Sequence, residues 1–206
     1  ATHDLEIRGA GELLGEDQSG QIEAIGFSLY SDLLNRAVEA LKQGHEPDLD
    51  EPLAMSSDID LHTSALIPDD YLPDIHQRLV LYKRIAQADN EEGLYDLEVE
   101  MIDRFGLMPE PLKHLFTAAR LRLTAKGMGI RRLEIGPTGG RIEFLDQPQI
   151  KVDEVIQMIQ QESHTYELPQ PNRLRIKGDY ENYEDRLSLA KDVLSRLSLP
   201  EAQAVG

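Results

Sequence analysis

Cysteine and tryptophan are both absent from this 206-residue sequence, and aromatic residues make up only 5% of it. Without cysteine there is no disulfide framework, no thiolate metal site and no thiol nucleophile. Without tryptophan the core must be built mainly from Leu, Ile, Val and Ala. No apolar run is long enough to span a bilayer, and no signal-peptide pattern opens the chain, so a cytoplasmic protein with no membrane partner is expected. Basic charge is scarce: 21 Lys and Arg stand against 38 Asp and Glu, a net charge of −17. Nucleic-acid binders draw most of their affinity from phosphate neutralisation and are usually basic, so the isolated chain is a poor candidate for gripping DNA.

Catalytic motifs are missing as well. No glycine is followed by Lys and Ser or Thr in a Walker A frame, and there is no GxSxG elbow. Gly9, Gly11 and Gly15 are one residue out of step with GxGxxG, because Leu14 stands where the last glycine should be. The histidines at 3, 45, 62, 76, 114 and 164 form no HExxH or His-x3-His pair, so no metal site is expected. His114, beside Lys113, reads as a surface residue. These absences exclude a self-contained enzyme and leave no catalytic residue to name.

What is present is unevenly charged. From Pro47 to Asp103 there are 15 Asp and Glu against 3 Lys and Arg, a net of −12. From Leu112 to Arg141 there are 7 Lys and Arg against one Glu, a net of +6. Such stretches are ordinarily solvated faces; alternatively they dock electrostatically on a partner or on another part of a larger protein. The opening Ala-Thr-His-Asp, without an initiator Met, reads as an excised piece or a processed product.

Taken in order, residues 27–43 carry Tyr30, Leu34, Ala37 and Leu41 at helical spacing, ending at Gly44. The following prolines and acids read as a linker over 45–56. Alternation from Asp58 to Leu66 predicts a strand. Helices follow at about 74–88 (Ile75, Leu79, Tyr82, Ile85 and Ala86 inward), 90–104 (Leu94, Leu97, Met101, Phe105) and from Pro109 to Gly127. Asp74 and Asn90 are placed to cap the first two. Arg131–Ile135 and Arg141–Leu145 predict a hairpin around the roomy glycine turn 136–140. A helix near 152–159, strands at 165–168 and 173–177 and a last helix at about 180–197 complete the pattern. Blocks of helices and hairpins without a βαβ repeat give an α+β class: an N-terminal loop and helical hairpin, a linker, then a compact domain of helices on a mostly antiparallel sheet. The expected division is 1–44, 45–56, 57–198 and a tail at 199–206.

The first twenty residues carry the clearest functional signal. Three glycines permit φ > 0 and close backbone approach. Arg8 offers a planar fork of donors, and Gln18 can both donate and accept. From the residues alone this is either a turn used only for folding or a loop that relays motion between sites. DLEIRGAGELLGEDQSG resembles the TRG motif shared by RecG-type branch-migration helicases and bacterial transcription-repair coupling factors. Ala10 and Glu16-Asp17 follow the coupling-factor form, and the stretches QIEAIGFSLYSDLLNRAVEALKQG, IPDDYLPDIHQRLVLYKRIA, IDRFGLMP and GIRRLE continue that resemblance along nearly the whole chain.

The resemblance implies a part of an ATP-driven duplex-DNA translocase that releases damage-stalled RNA polymerase and recruits the UvrA repair protein. ATP and Mg would bind in RecA-like motor lobes lying before residue 1, with no cofactor held here. Arg8 and Gln18, on the loop jointed by Gly9, Gly11 and Gly15, correspond to the residues that couple ATP hydrolysis to translocation. The segment from about 55 onward resembles a regulatory domain that docks on an N-terminal UvrB-like module and masks UvrA binding. The positions put forward for docking are Asp69, Asp70 and Asp74, or the basic helix with Arg120 and Arg122. The alternative is an independent module that holds DNA or a repair protein through the basic region 112–141.

Overall fold

The computed structural model describes residues 57–200, so the expected helical hairpin over 1–44 and the linker over 45–56 lie outside the described residues. The order is β1 (Asp58–Asp60), α1 (Ile75–Gln87), α2 (Glu91–Phe105), α3 (Glu110–Gly127), β2 (Ile130–Gly136), β3 (Gly139–Phe144), α4 (Val152–Gln161), β4 (Tyr166–Gln170), β5 (Arg173–Lys177) and α5 (Tyr183–Leu197). The strands form one sheet in the order β1-β2-β3-β5-β4. Only the β1–β2 pair is parallel; the others are antiparallel. The α+β class therefore stands.

Two apolar clusters share one helix. Near its start, α3 gives Leu112, Leu115, Phe116 and Ala119 to a helical cluster with Leu81, Tyr82 and Ile85 of α1 and Leu94, Leu97 and Met101 of α2. Further on, Leu121 and Ala125 join the cluster under the sheet, with Leu133, Ile135, Ile142, Leu174 and Ile176 from the strands, Met158 from α4 and Val193 and Leu194 from α5. The expected helical layer thus exists, and α3 joins it to the sheet.

The caps follow local chemistry. Asp74 accepts from the Gln77 amide and Asn90 from the Gly93 amide, each at 2.8 Å. Glu91 and Glu92 sit in the first turn of α2, where carboxylates suit the helix dipole.

Four details differ from the sequence-based expectation. The first strand stops at Asp60 because His62 adopts φ 49° and its amide bonds to Asp60 Oδ1 at 2.8 Å, turning the chain away. In α1 the buried set is Leu81, Tyr82 and Ile85, whereas Ile75 is exposed. Tyr82 and Ile85 face inward as expected, Leu81 joins them, and the Tyr82 hydroxyl accepts from the Ile67 amide at 2.7 Å. The β2–β3 turn is tight rather than roomy, with Gly136 paired to Gly139. A Cβ on Gly140 would collide with the Glu134 carbonyl oxygen, and one on Gly139 with that of Ile176, so the double glycine lets three strands approach. His114 is not a free surface residue: its ring lies 4.0 Å from that of Tyr183 and its Nδ1 is 3.0 Å from the Ser64 carbonyl oxygen.

Candidate functional site

Strand periodicity gives the sheet two unlike faces. Ile59, Leu133, Ile135, Ile142, Leu174 and Ile176 are buried beneath the helices. The alternating positions place Asp58, Arg132, Glu134, Arg141, Glu143, Arg173 and Arg175 on the other face. A bulge between Ile130 and Arg132 brings Arg131 there too, within 2.9 Å of Glu143. The result is an ionic lattice. Glu134 is held by His62 Nε2 at 3.0 Å, Arg141 at 2.9 Å and Arg132 at 3.3 Å. Glu143 is held by Arg131 at 2.9 Å and Arg173 at 3.1 Å. Burial opposes ionisation of both carboxyls, yet the surrounding donors outweigh it and hold both below the usual carboxylate range.

Asp60, His62 and Glu134 bring ligand-type atoms within 4.8 Å of one another. The Glu134 carboxylate of the trio is already compensated: its Oε1 faces His62 Nε2 at 3.0 Å, and its Oε2 is held by Arg141 at 2.9 Å and Arg132 at 3.3 Å. Among the described residues the arrangement is an ion-pair network, with each carboxylate of Glu134 and Glu143 held by basic side chains.

The second surface is the outer side of α2. Leu94, Leu97 and Met101 face inward, while Tyr95, Val99 and Ile102 recur at i, i+4 and i+7 on the outside. Tyr95 is 61% exposed, and Leu107, just past the Gly106 cap, is 88% exposed. Contiguous exposed apolar groups rimmed by charge mark interaction surfaces. The rim is present: Glu100 accepts from Arg84 at 2.9 and 2.6 Å and from Arg104 at 2.8 Å. The Arg84 hydrogen bonds, then that of Arg104, pull the Glu100 carboxyl down to about 2.

The docking residues expected from sequence fall in different places. Asp69 and Asp70 are exposed in a turn, and Asp74 is committed to capping α1. Tyr71 donates toward the Met101 and Gly106 carbonyls at 3.1 and 3.0 Å, which sets the Asp69–Asp70 turn at the C-terminal end of α2. Arg120 pairs with Glu98, and Arg122 donates to the Ala86 and Ile85 carbonyls at 2.5 and 3.2 Å. Both arginines therefore fasten helices together. Arg122 sits by the far end of α1 from Asp74, a separation of roughly 20 Å at 1.5 Å per residue. Arg8, Gln18, Gly9, Gly11 and Gly15 lie outside the described residues.

Two features escaped sequence reading. Arg186 is 6% exposed and donates to the Leu61, Tyr180 and Glu181 carbonyls at 2.8, 2.8 and 2.7 Å. Its partners are backbone oxygens, one of them 125 residues away, so no side-chain pattern announces it. The α2 stripe could have been found: that helix repeats apolar residues on two faces, and only one can face a core.

Comparison with known proteins gives these surfaces a context. Residues 61–155 match the family described as the TRCF domain. A transcription-repair-coupling factor of Haemophilus influenzae is 48% identical over 198 residues, 96% of this chain and 17% of that protein. The chain belongs to the transcription-repair-coupling-factor family. The Escherichia coli relative is 46% identical over 197 residues, again 96% of this chain and 17% of its own length. The chain thus spans about a sixth of the curated relatives it matches. A crystal structure of the C-terminal domain of a transcription-repair coupling factor shares the fold, with a TM-score of 0.54 at 21% identity, covering 69% of this chain and 94% of that one.

Proposed function

We propose that the described domain is the regulatory end of a transcription-repair coupling factor and docks on the N-terminal UvrB-like module of the same protein, masking UvrA binding. The observation that supports this most is the outer stripe of α2: Tyr95, Val99, Ile102 and the following Leu107 form an exposed apolar strip on an otherwise acidic half of the chain. The strip suits a protein partner, and the Asp69–Asp70 turn beside it supplies charge at the rim. In the same reading, Arg8 and Gln18 couple ATP hydrolysis in the RecA-like lobes to movement along duplex DNA, and the whole protein is an ATP hydrolase that releases stalled RNA polymerase. This chain alone hydrolyses no ATP and needs no cofactor; it functions in the cytoplasm.

The alternative, DNA binding through 112–141, loses support from the placement of its cations. Lys113 pairs with Glu110, Arg120 with Glu98 and Arg141 with Glu134, while Arg122 is spent on backbone carbonyls. Deleting residues 55–206 from the full-length protein is expected to raise UvrA binding and basal ATPase; unchanged values for both would sink the regulatory reading. Arg8→Ala in the full-length protein is expected to leave polymerase binding intact and to cripple polymerase release. Release at the normal rate would remove Arg8 from the coupling role.

A further inference from the structure

On the open face of the sheet Arg141 and Arg173 are paired with Glu134 and Glu143, while no described carboxylate stands within ion-pair distance of Arg175. Arg141 and Arg175 stand directly opposite each other on β3 and β5, a register that like charges disfavour. Arg173 lies two residues before Arg175 on the same strand and face. Glu167, the cross-strand partner of Arg175 on β4, is ion-paired with Lys177 at 2.7 Å and feels Arg175 only as a more distant charge. Arg175 therefore presents an exposed guanidinium. The three arginines, with His62, Pro169 and the β2–β3 turn, line an open cavity of about 620 Å³.

We propose that this face binds side-chain carboxylates of an extended acidic segment, and that its occupant is the chain's own residues 46–51, which lie outside the described residues. The chemistry is complementary. Glu46, Asp48, Asp50 and Glu51 cluster there, flanked by Pro47 and Pro52. In an extended segment, Asp48 and Asp50 fall on one side about 7 Å apart, the same spacing that separates Arg173 from Arg175 along β5.

The tether is long enough. Asp50 precedes Asp58 by eight residues, a reach of up to about 26 Å, while β5 lies three strands from β1, about 14 Å away. Tethering gives the acids an effective concentration on the order of millimolar, so weak ion pairs suffice. A nucleic-acid backbone suits the face less well. Glu134, Glu143 and Glu167 are interleaved with the arginines, and a chain of net charge −17 repels a uniform polyanion.

The absence of native cysteine allows a direct test on the full 206-residue chain. A nitroxide on Leu49→Cys is read through the paramagnetic broadening of the β5 amides. The Leu174 and Arg175 signals are expected to be lost in dilute buffer and recovered at about 1 M salt, where screening acts within about 3 Å. They should also be recovered when Arg175→Gln is added, and with Asp48→Asn plus Asp50→Asn, which leave the folded domain untouched. Broadening that is absent in dilute buffer, or that survives the two aspartate changes, overturns the proposal. So does a perturbation of the Arg173 and Arg175 resonances by short duplex DNA while the acidic segment leaves them unchanged.

Discussion

The charged face of the sheet and the outer face of α2 solve opposite problems. On the sheet, Glu134 and Glu143 are ringed by basic groups, so most of the charge is answered within the domain. On α2, Tyr95, Val99 and Ile102 stay exposed among the described residues, although the helix has already buried Leu94, Leu97 and Met101. The first face should be felt in stability and the second in association. Charge that is visible in sequence is thus a poor guide to where a partner binds, because a formal +6 between Leu112 and Arg141 is largely consumed inside the fold.

The largest stability effect is expected where the chain leaves the sheet for the helical half. Arg186→Leu strands one buried carbonyl, that of Leu61, and two part-buried ones, of Tyr180 and Glu181, that now accept from the guanidinium. It should cost about 3–5 kcal/mol, read from the urea midpoint. Next comes the lattice itself. Glu143→Gln, at a site 8% exposed, removes the charge that Arg131 and Arg173 share and should cost about 1–3 kcal/mol. The comparison breaks if that substitution is neutral.

Acid titration gives a smaller effect with a defined sign. Glu100 has a folded value of about 2 against an ordinary 4.5, so its contribution is complete above pH 4.5 and is lost as the pH falls from there toward 2. Because the pair is solvent-accessible, screening keeps this to about 1 kcal/mol or less. Glu100→Gln should flatten the stability profile in that window; an unchanged profile would contradict the Arg84–Glu100–Arg104 network. The smallest stability change belongs to the other surface. Tyr95→Ser with Ile102→Ser should move stability by no more than about 0.5 kcal/mol per site, since neither side chain is in the core.

Sequence pattern located the helices and hairpins of the described region because their periodicity is local. It misjudged β1, because a single left-handed residue, His62, ends the strand inside a run that still alternates. On α1 it placed Tyr82 and Ile85 inward correctly, missed Leu81, and gave the core Ile75, which stands exposed at the first position of the helix. Of the residues put forward for docking, Asp74 caps α1 as its position suggests, and Arg120 and Arg122 contact Glu98 and the α1 carbonyls. Their fate depends on which carboxylate or carbonyl the folded chain brings near, information that no spacing carries. The α2 stripe was legible in principle, since two apolar faces on one helix imply a second partner.

The regulatory reading is tested most directly by UvrA binding to the full-length protein carrying Tyr95→Ser and Ile102→Ser. The stripe, if it docks on the UvrB-like module, should release the mask when made polar and raise UvrA affinity while thermal stability stays within a few degrees. Unchanged UvrA affinity in a folded double variant would contradict it.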